Sequence, residues 1–229
     1  MSHPVAHPTA TTARRNPPPQ PTTTTTRLLD CGIVAGPLFV ITALAQALTR
    51  EGYDMARHPI SLLGLGELGW VQIADFVTTG VLVLAFAVGV RRALRPGPAS
   101  QWGPLLLRAL GLGLVLGGVF VTDPALGYPP GEPTPASRSW HADAHNLAPV
   151  LAVDGIVIGM LVFARRFAKL RRRGWQVVSL GTALAVLALT AWPSLDGISV
   201  RLALAMLLLL GWTTALAVDL RRSVSAAAR

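Results

Sequence analysis

Five side chains able to act as metal ligands, general acids or bases, or nucleophiles fall in segments that separate long apolar runs. They are His58, Ser61, Asp123, His141 and His145. If a helix begins near Trp140, His141 and His145 are spaced i and i+4 and lie about 40° apart on one face. Both imidazoles would then reach a single ion or one substrate group. With Asp123 they would offer ligands to a divalent metal such as zinc, or general acid and base groups.

Each of these residues also has a simpler interpretation. His58 and Ser61 would satisfy loop backbone and lipid headgroups, and His141 and His145 would be solvated or hydrogen-bonded at the entry of a helix. Ala142 stands where the zinc-protease motif has glutamate, which disfavours zinc proteolysis. Asp123, before Pro124, would face the negative end of a helix dipole. Either water or a positive partner would offset that: a histidinium, a metal, Arg138 or a substrate cation.

The elements that position these residues are predicted to be membrane-spanning helices. The chain is 52% hydrophobic and 14% charged, with a mean hydropathy of +0.51, far from the composition of a soluble domain. Apolar stretches of the length needed to cross a bilayer lie near residues 28–49, 70–90, 104–122, 145–164, 175–193 and 200–220. We therefore expect an all-α polytopic membrane protein, a bundle of six transmembrane helices.

The positions of the basic residues predict the orientation of the bundle. The net charge is +9, but the charges cluster at the ends of spans, so we expect no nucleic-acid partner. Most arginines precede the first span, lie around the second and fourth connections or follow the last span. The positive-inside rule then places both termini in the cytoplasm. The histidine-bearing connections would face outwards from the plasma membrane.

Three parts of the chain are expected. Residues 1–26 are rich in Pro and Thr and predict a disordered cytoplasmic tail. Residues 27–222 form the transmembrane domain, and residues 223–229 form a short C-terminal tail. As an alternative, the first span ends in Ala43-Leu44-Ala45, which resembles the cleavage site of a signal peptide.

Small and acidic residues inside the spans predict how the helices pack. Gly32/Gly36, Gly113/Gly117 and Gly155/Gly159 are Gly-x-x-x-Gly pairs, which we interpret as packing seams within the molecule, with oligomerisation as the alternative. Asp75 and Asp154 lie within spans two and four, where an ionised carboxylate is unfavourable in lipid, so both are expected to point inwards. Asp154 lies on the opposite side of its helix from His145 and is expected to pair with another helix.

Several segments together resemble a known family. The run from Gly69 to Gly80, the segment Arg91–Gly97, the segments Gly118–Pro124 and Gly127–Gly131, and Ser139-Trp140-His141 with His145 are similar to domain-of-unknown-function family 998, in its actinobacterial branch. This resemblance covers roughly residues 28–220 and implies a six-span membrane protein with no established reaction. The family's typical pattern has Asn where this chain has Asp75.

Three kinds of function are compatible with these features. We favour a non-catalytic membrane protein that binds a lipid or an envelope partner through the extracytoplasmic His/Asp cluster. The first alternative is a membrane-embedded hydrolase or lipid-modifying enzyme that uses the same cluster with Ser61 or water as nucleophile. The second is a small transporter with Asp75 and Asp154 on its pathway. The expected partners are membrane lipids, with a second copy of the chain or another membrane protein as alternatives.

Overall fold

The computed structural model describes residues 23–227, and within them the chain is all-helical. The helices are α1 (Thr23–Thr49), α2 (Gly69–Leu94), α3 (Trp102–Val119), α4 (Trp140–Pro149), α5 (Gly155–Lys169), α6 (Arg173–Thr190) and α7 (Ile198–Ala227). A 3₁₀ turn, Ile60–Gly64, lies between α1 and α2, and a π-helical turn, Val150–Asp154, joins α4 to α5. The all-α prediction is confirmed.

Five helical segments of the described chain are long and apolar enough to cross a membrane. They are α1, α2, α3, α7 and the continuous segment Trp140–Lys169, in which α4, the π turn and α5 form one span. α6 is not among them, because Arg173 and Gln176 in its first turns lower its hydropathy. The prediction of a multi-pass membrane protein is therefore supported, and the count of six spans stays a prediction.

The helices close into a ring around an aromatic and aliphatic core. α1 packs against α2 and α7, α3 against α2 and α5, and α6 against α5 and α7. Phe39, Phe86, Phe163, Phe167 and Met160 are among the side chains that fill the centre and exclude lipid from it. When α4, the π turn and α5 are counted as one segment, each of the six helical segments has two neighbours in the ring, and its remaining face points outwards.

The glycine pairs are confirmed as packing seams within the molecule. A Cβ placed on Gly113 would lie 2.7 Å from the carbonyl oxygen of Ala148, and one on Gly32 would lie 2.6 Å from the Phe86 ring. A Cβ on Gly155 would lie 2.6 Å from the Cβ of Ala109. The missing side chains let α3 approach α4 and α5, and let α1 approach α2 and α7, more closely than larger residues allow.

The connections gather at two opposite ends of the bundle. At one end, Arg50 donates to the carbonyl of Leu65 and Ser199 donates to the carbonyl of Arg57, which ties together segments next to α1, α2 and α7. At the other end, Arg172 forms a bidentate ion pair with Asp219, and Arg221 pairs with Asp30. We call these the loop end and the basic end.

The predicted domain boundaries differ from the helix ends. α1 begins at Thr23, before the predicted start at residue 27, and the Thr26 hydroxyl donates to the carbonyl of Thr23 in the first turn. α7 continues to Ala227, past the predicted end at residue 222. Disorder was predicted for residues 1–26: residues 23–26 instead form the first turn of α1, and residues 1–22 lie outside the described residues, as do residues 228 and 229.

Candidate functional site

His145 lies in α4, at the loop end, with one ring nitrogen fixed and the other free. Its Nδ1 is 2.7 Å from the carbonyl oxygen of Phe120, one residue past the end of α3. Because a carbonyl only accepts, Nδ1 carries the proton and donates it. The side chain is buried, and Nε2 makes no hydrogen bond with any residue from 23 to 227. Nε2 is therefore available to a ligand.

A cavity of about 130 Å³ opens beside His145. Its wall is formed by α2, α3, α4, the π turn, the 3₁₀ turn, the end of α6 and α7, and is almost wholly apolar. His145, Ser61 and Thr190 are its polar side chains. Pro149 of α4 and Leu202 of α7 also line it and are exposed, so the cavity reaches the surface of the bundle beside these two residues.

The π turn shapes one wall of this cavity. It follows Pro149, which lacks an N–H and so cannot donate the next regular helical hydrogen bond. Single π turns inside helices often occur at functional sites. Here Ala152 and Val153 of the turn line the cavity, seven and eight residues after His145 in the chain.

His58 is held in the loops rather than at the cavity. The backbone N–H of Asp54 donates to His58 Nδ1 at 2.9 Å, so the proton of the neutral ring is on Nε2, which lies 3.3 Å from the carbonyl of Leu126. The rings of Tyr53 and Tyr128 pack against it at 5.5 and 5.4 Å. Burial raises the pKa of Tyr53 to about 12, so its hydroxyl remains a donor to the carbonyl of His58. The arrangement matches the interpretation in which His58 satisfies loop backbone.

Asp123 fixes the start of α4. It accepts from the Ser139 hydroxyl at 2.6 Å and from the Ser139 backbone N–H at 2.8 Å, while the Ser139 hydroxyl itself caps the N–H of Ala142. α3 ends at Val119, so Asp123 does not adjoin its dipole as expected; it lies at the N-terminus of α4, where a carboxylate is favoured. These Ser139 hydrogen bonds, the hydroxyl first, with Arg138 and His141 nearby, lower the pKa of Asp123.

His141 lies on the same helix as His145 but is exposed, against the ring of Trp140 at 3.7 Å. Among residues 23–227 no three His, Cys, Asp or Glu side chains come together as a metal-binding group. The structure places Ser61 and His145 on one cavity, and it places His58, Asp123 and His141 in separate contacts. The metal site of His141, His145 and Asp123 stays a prediction.

Comparison with known proteins identifies a family whose function is unknown. The sequence model of family DUF998, described as a protein of unknown function, matches residues 33–223. The chain belongs to the DUF998 family. No curated protein and no solved structure matches it. The match does not extend to the actinobacterial branch or the count of six spans, and both stay predictions.

A polar relay at the loop end of this DUF998 chain was not predicted from the sequence. Arg50 donates to the carbonyls of Leu63, Leu65 and Leu68 and to the side-chain oxygen of Gln46. Gln46 in turn donates to Gln72 at 2.7 Å, and both amides are buried. The available signal was two glutamines near the ends of apolar runs, where a buried polar group needs a partner.

The two intramembrane acids of the DUF998 domain face opposite ways. Asp75 is buried on the face of α2 that also carries Gln72 and Thr79, as expected, and neither of its carboxylate oxygens has a hydrogen-bond partner in the described chain. Asp154 was expected to point inwards, and that prediction is wrong: it is exposed on the outward face. Gly155 rather than Asp154 occupies the close contact with α3, which turns the carboxylate away from the bundle.

Proposed function

We propose that this DUF998 protein binds a membrane lipid in the cavity beside His145. One hydrocarbon chain enters beside Pro149 and Leu202, and a lipid hydroxyl near the headgroup donates a hydrogen bond to His145 Nε2 and accepts one from the Ser61 hydroxyl. The observation that carries the proposal is the pairing of an apolar cavity, open on the bundle's surface, with a buried imidazole that has one free nitrogen.

The size and lining of the cavity suit a hydrocarbon segment. Engineered apolar cavities of about 150 Å³ stay dry and bind small apolar molecules, and the cavity here measures about 130 Å³. Leu114 and Leu209 lie among its apolar residues, and Ala148, Ala152 and Ala205 leave space. Such a cavity fits the first few methylenes of a chain, with the rest of the lipid lying in the bilayer.

Lipid modification is the second candidate activity, because Ser61 and His145 line the same cavity. An enzyme of this kind would use His145 Nε2 as the base that takes a proton from Ser61 or water. Its readout is the appearance of a cleaved lipid product on incubation with the purified protein. Binding alone leaves the lipid intact.

We also infer that all six helical segments, α6 included, cross the plasma membrane, with both termini in the cytoplasm. The 18 residues of α6 would rise about 27 Å, close to the thickness of a hydrocarbon core, and α6 lies between α5 and α7 in the ring. The cavity would then lie in the outer half of the membrane. Basic residues near the opposite end support this orientation.

The test compares two histidine variants. The protein is extracted in mild detergent, and bound lipid is quantified by mass spectrometry for the wild type, His145→Ala and His141→Ala. His145→Ala is expected to retain roughly 2- to 12-fold less lipid, since it loses a hydrogen bond worth about 0.5–1.5 kcal/mol. His141→Ala is the matched control on the same helix and is expected to retain as much lipid as the wild type.

A third variant tests the apolar part of the cavity. Ala203→Phe places a ring in the cavity from α7 and is expected to exclude the lipid while leaving His145 unchanged. Equal lipid in the wild type, His145→Ala and Ala203→Phe would contradict the proposal. Loss of lipid in His141→Ala as strong as in His145→Ala would also contradict it, because a general disturbance of α4 would then explain both.

A further inference from the structure

Asp154 lies near the middle of the span Trp140–Lys169 and at the centre of its outward face. Ile158 and Leu161 fall within about 60° of it on the helix, and all three are exposed, as are Leu147 and Leu151 on the preceding turns. Asp154 makes no hydrogen bond or ion pair with any residue from 23 to 227. A carboxylate in this position must face protein or water rather than lipid.

Arg108 of α3 is a basic residue at nearly the same depth. α3 and α5 are antiparallel. A Cβ placed on Gly155 would lie 2.6 Å from the Cβ of Ala109, so these two residues lie at the same depth in the bundle. Arg108 and Asp154 each lie one residue from that level, so their backbones differ by about 3 Å along the bundle axis. Arg108 is half-buried, and it too makes no hydrogen bond or ion pair in the described chain.

Within one protomer these two charges remain apart. Arg108 lines a surface groove with Arg91, Gln101, Trp102 and Leu105, on the side of α3 near α2. Asp154 faces away from α3 on its own helix. The outward faces of α3 and α5 between them expose apolar side chains, among them Leu105, Leu112, Ile158 and Leu161. The outward faces of α3 and α5 thus form one apolar surface. Arg108 lies on the flank near α2, and Asp154 lies on the opposite flank.

We infer that a second copy of this chain docks on the α3/α5 face, so that Asp154 of each copy pairs with Arg108 of the other. A two-fold axis parallel to the membrane normal keeps every residue at its own depth and makes each contact reciprocal. The dimer therefore contains two Asp154–Arg108 pairs, one on each side of the apolar contact between the two copies. Pairing with each other is the usual state of ionisable residues inside a membrane.

The test exploits this reciprocity. Two full-length copies with different affinity tags are co-expressed, extracted in mild detergent, and the fraction co-purified is measured. Asp154→Arg paired with itself, and Arg108→Asp paired with itself, each juxtapose like charges and should associate on the order of tenfold less than the wild type. A mixture of Asp154→Arg with Arg108→Asp restores both opposite-charge pairs and should associate like the wild type.

The mixed pair also shows that both variants are folded. The matched control replaces Arg108→Asp with Arg91→Asp, which alters the same groove at another depth and should not restore association with Asp154→Arg. The neutral variants Asp154→Asn and Arg108→Gln should each weaken self-association. Three outcomes would overturn the inference: a wild type that does not self-associate, neutral variants that associate like the wild type, or a mixed pair that associates no more than each variant does with itself. The last outcome would assign Arg108 to a lipid headgroup instead.

Discussion

Backbone groups hold His58, Asp123 and His145 in place at the loop end. Two of these three bind a carbonyl or N–H far away in sequence: His145 is 25 positions from Phe120, and His58 is 68 positions from Leu126. The consequence is that the tautomers of both rings are set by their surroundings. Only His145 combines a fixed proton on Nδ1 with a free nitrogen and a cavity.

The pH dependence of α4 follows from Asp123. Its pKa is lowered in the folded protein by the Ser139 hydrogen bonds, so the ionised form is stabilised on folding. That contribution is fully present above the ordinary aspartate pKa of about 3.9 and is lost as the pH falls through the lowered pKa. Asp123→Asn should therefore melt at a lower temperature than the wild type at pH 7. Thermal unfolding in detergent should show the difference shrinking below about pH 4; a difference that is equal at acidic and neutral pH would contradict the assignment.

The sequence was sufficient to name the chemically competent residues, but not their partners. Spacing on a helix predicted that His141 and His145 share a face, whereas their different burial depends on where α3 ends and on Phe120. The bundle also turns Asp154 outwards, because glycine at position 155 allows α3 to approach there. These outcomes depend on contacts between distant segments, which hydrophobic periodicity does not encode.

At the scale of elements, glycines and one proline determine how the helices approach. Gly80 of α2 meets α3 where a Cβ would lie 2.6 Å from the carbonyl oxygen of Gly111. Pro149 precedes the π turn that lines the cavity. The Gly-x-x-x-Gly pairs were predictable as seams from spacing alone, but Gly80 and the π turn were not, since neither belongs to a repeated pattern.

Adding one methyl group at Gly80 should separate α2 from α3. Its Cβ would meet backbone atoms of Gly111 and Val115, which cannot move aside like a side chain. Gly80→Ala is expected to lower the free energy of unfolding by about 1–3 kcal/mol. Gly181→Ala in α6 is the matched control, because nothing lies within 4 Å of its Cβ position, and it should be neutral or stabilising by up to about 1 kcal/mol. Chemical unfolding in detergent measures the free energy of unfolding of both variants. Equal changes in Gly80→Ala and Gly181→Ala would contradict close packing of α2 on α3 at Gly80.

At the scale of the whole molecule, the ring of helices separates a basic end from a loop end. Composition and apolar run lengths predicted the all-α membrane class, and the alternation of basic and histidine-bearing connections predicted which segments share an end. The order of helices around the ring and the cavity within it could not be predicted, because many ring orders satisfy the same hydropathy pattern.

Six crossings and cytoplasmic termini make a direct prediction for labelling in cells. In a Cys31→Ser background, Glu132→Cys lies in the connection between α3 and α4, and Ser223→Cys lies near the end of α7. A membrane-impermeant maleimide added to intact cells should label Glu132→Cys and should label Ser223→Cys only after lysis. Labelling of both from outside would mean that α6 does not cross, and labelling of Ser223→Cys alone would reverse the orientation.

Photo-crosslinking tests lipid binding beside His145 most directly. A phospholipid with a diazirine in the upper part of one chain is equilibrated with the purified protein, irradiated, and the labelled residues are identified by peptide mass spectrometry. We expect labels on residues that line the cavity, such as Val153, Leu202 and Met206, and their loss in Ala203→Phe. Labels spread over outward leucines such as Leu184, and unchanged by Ala203→Phe, would contradict the account.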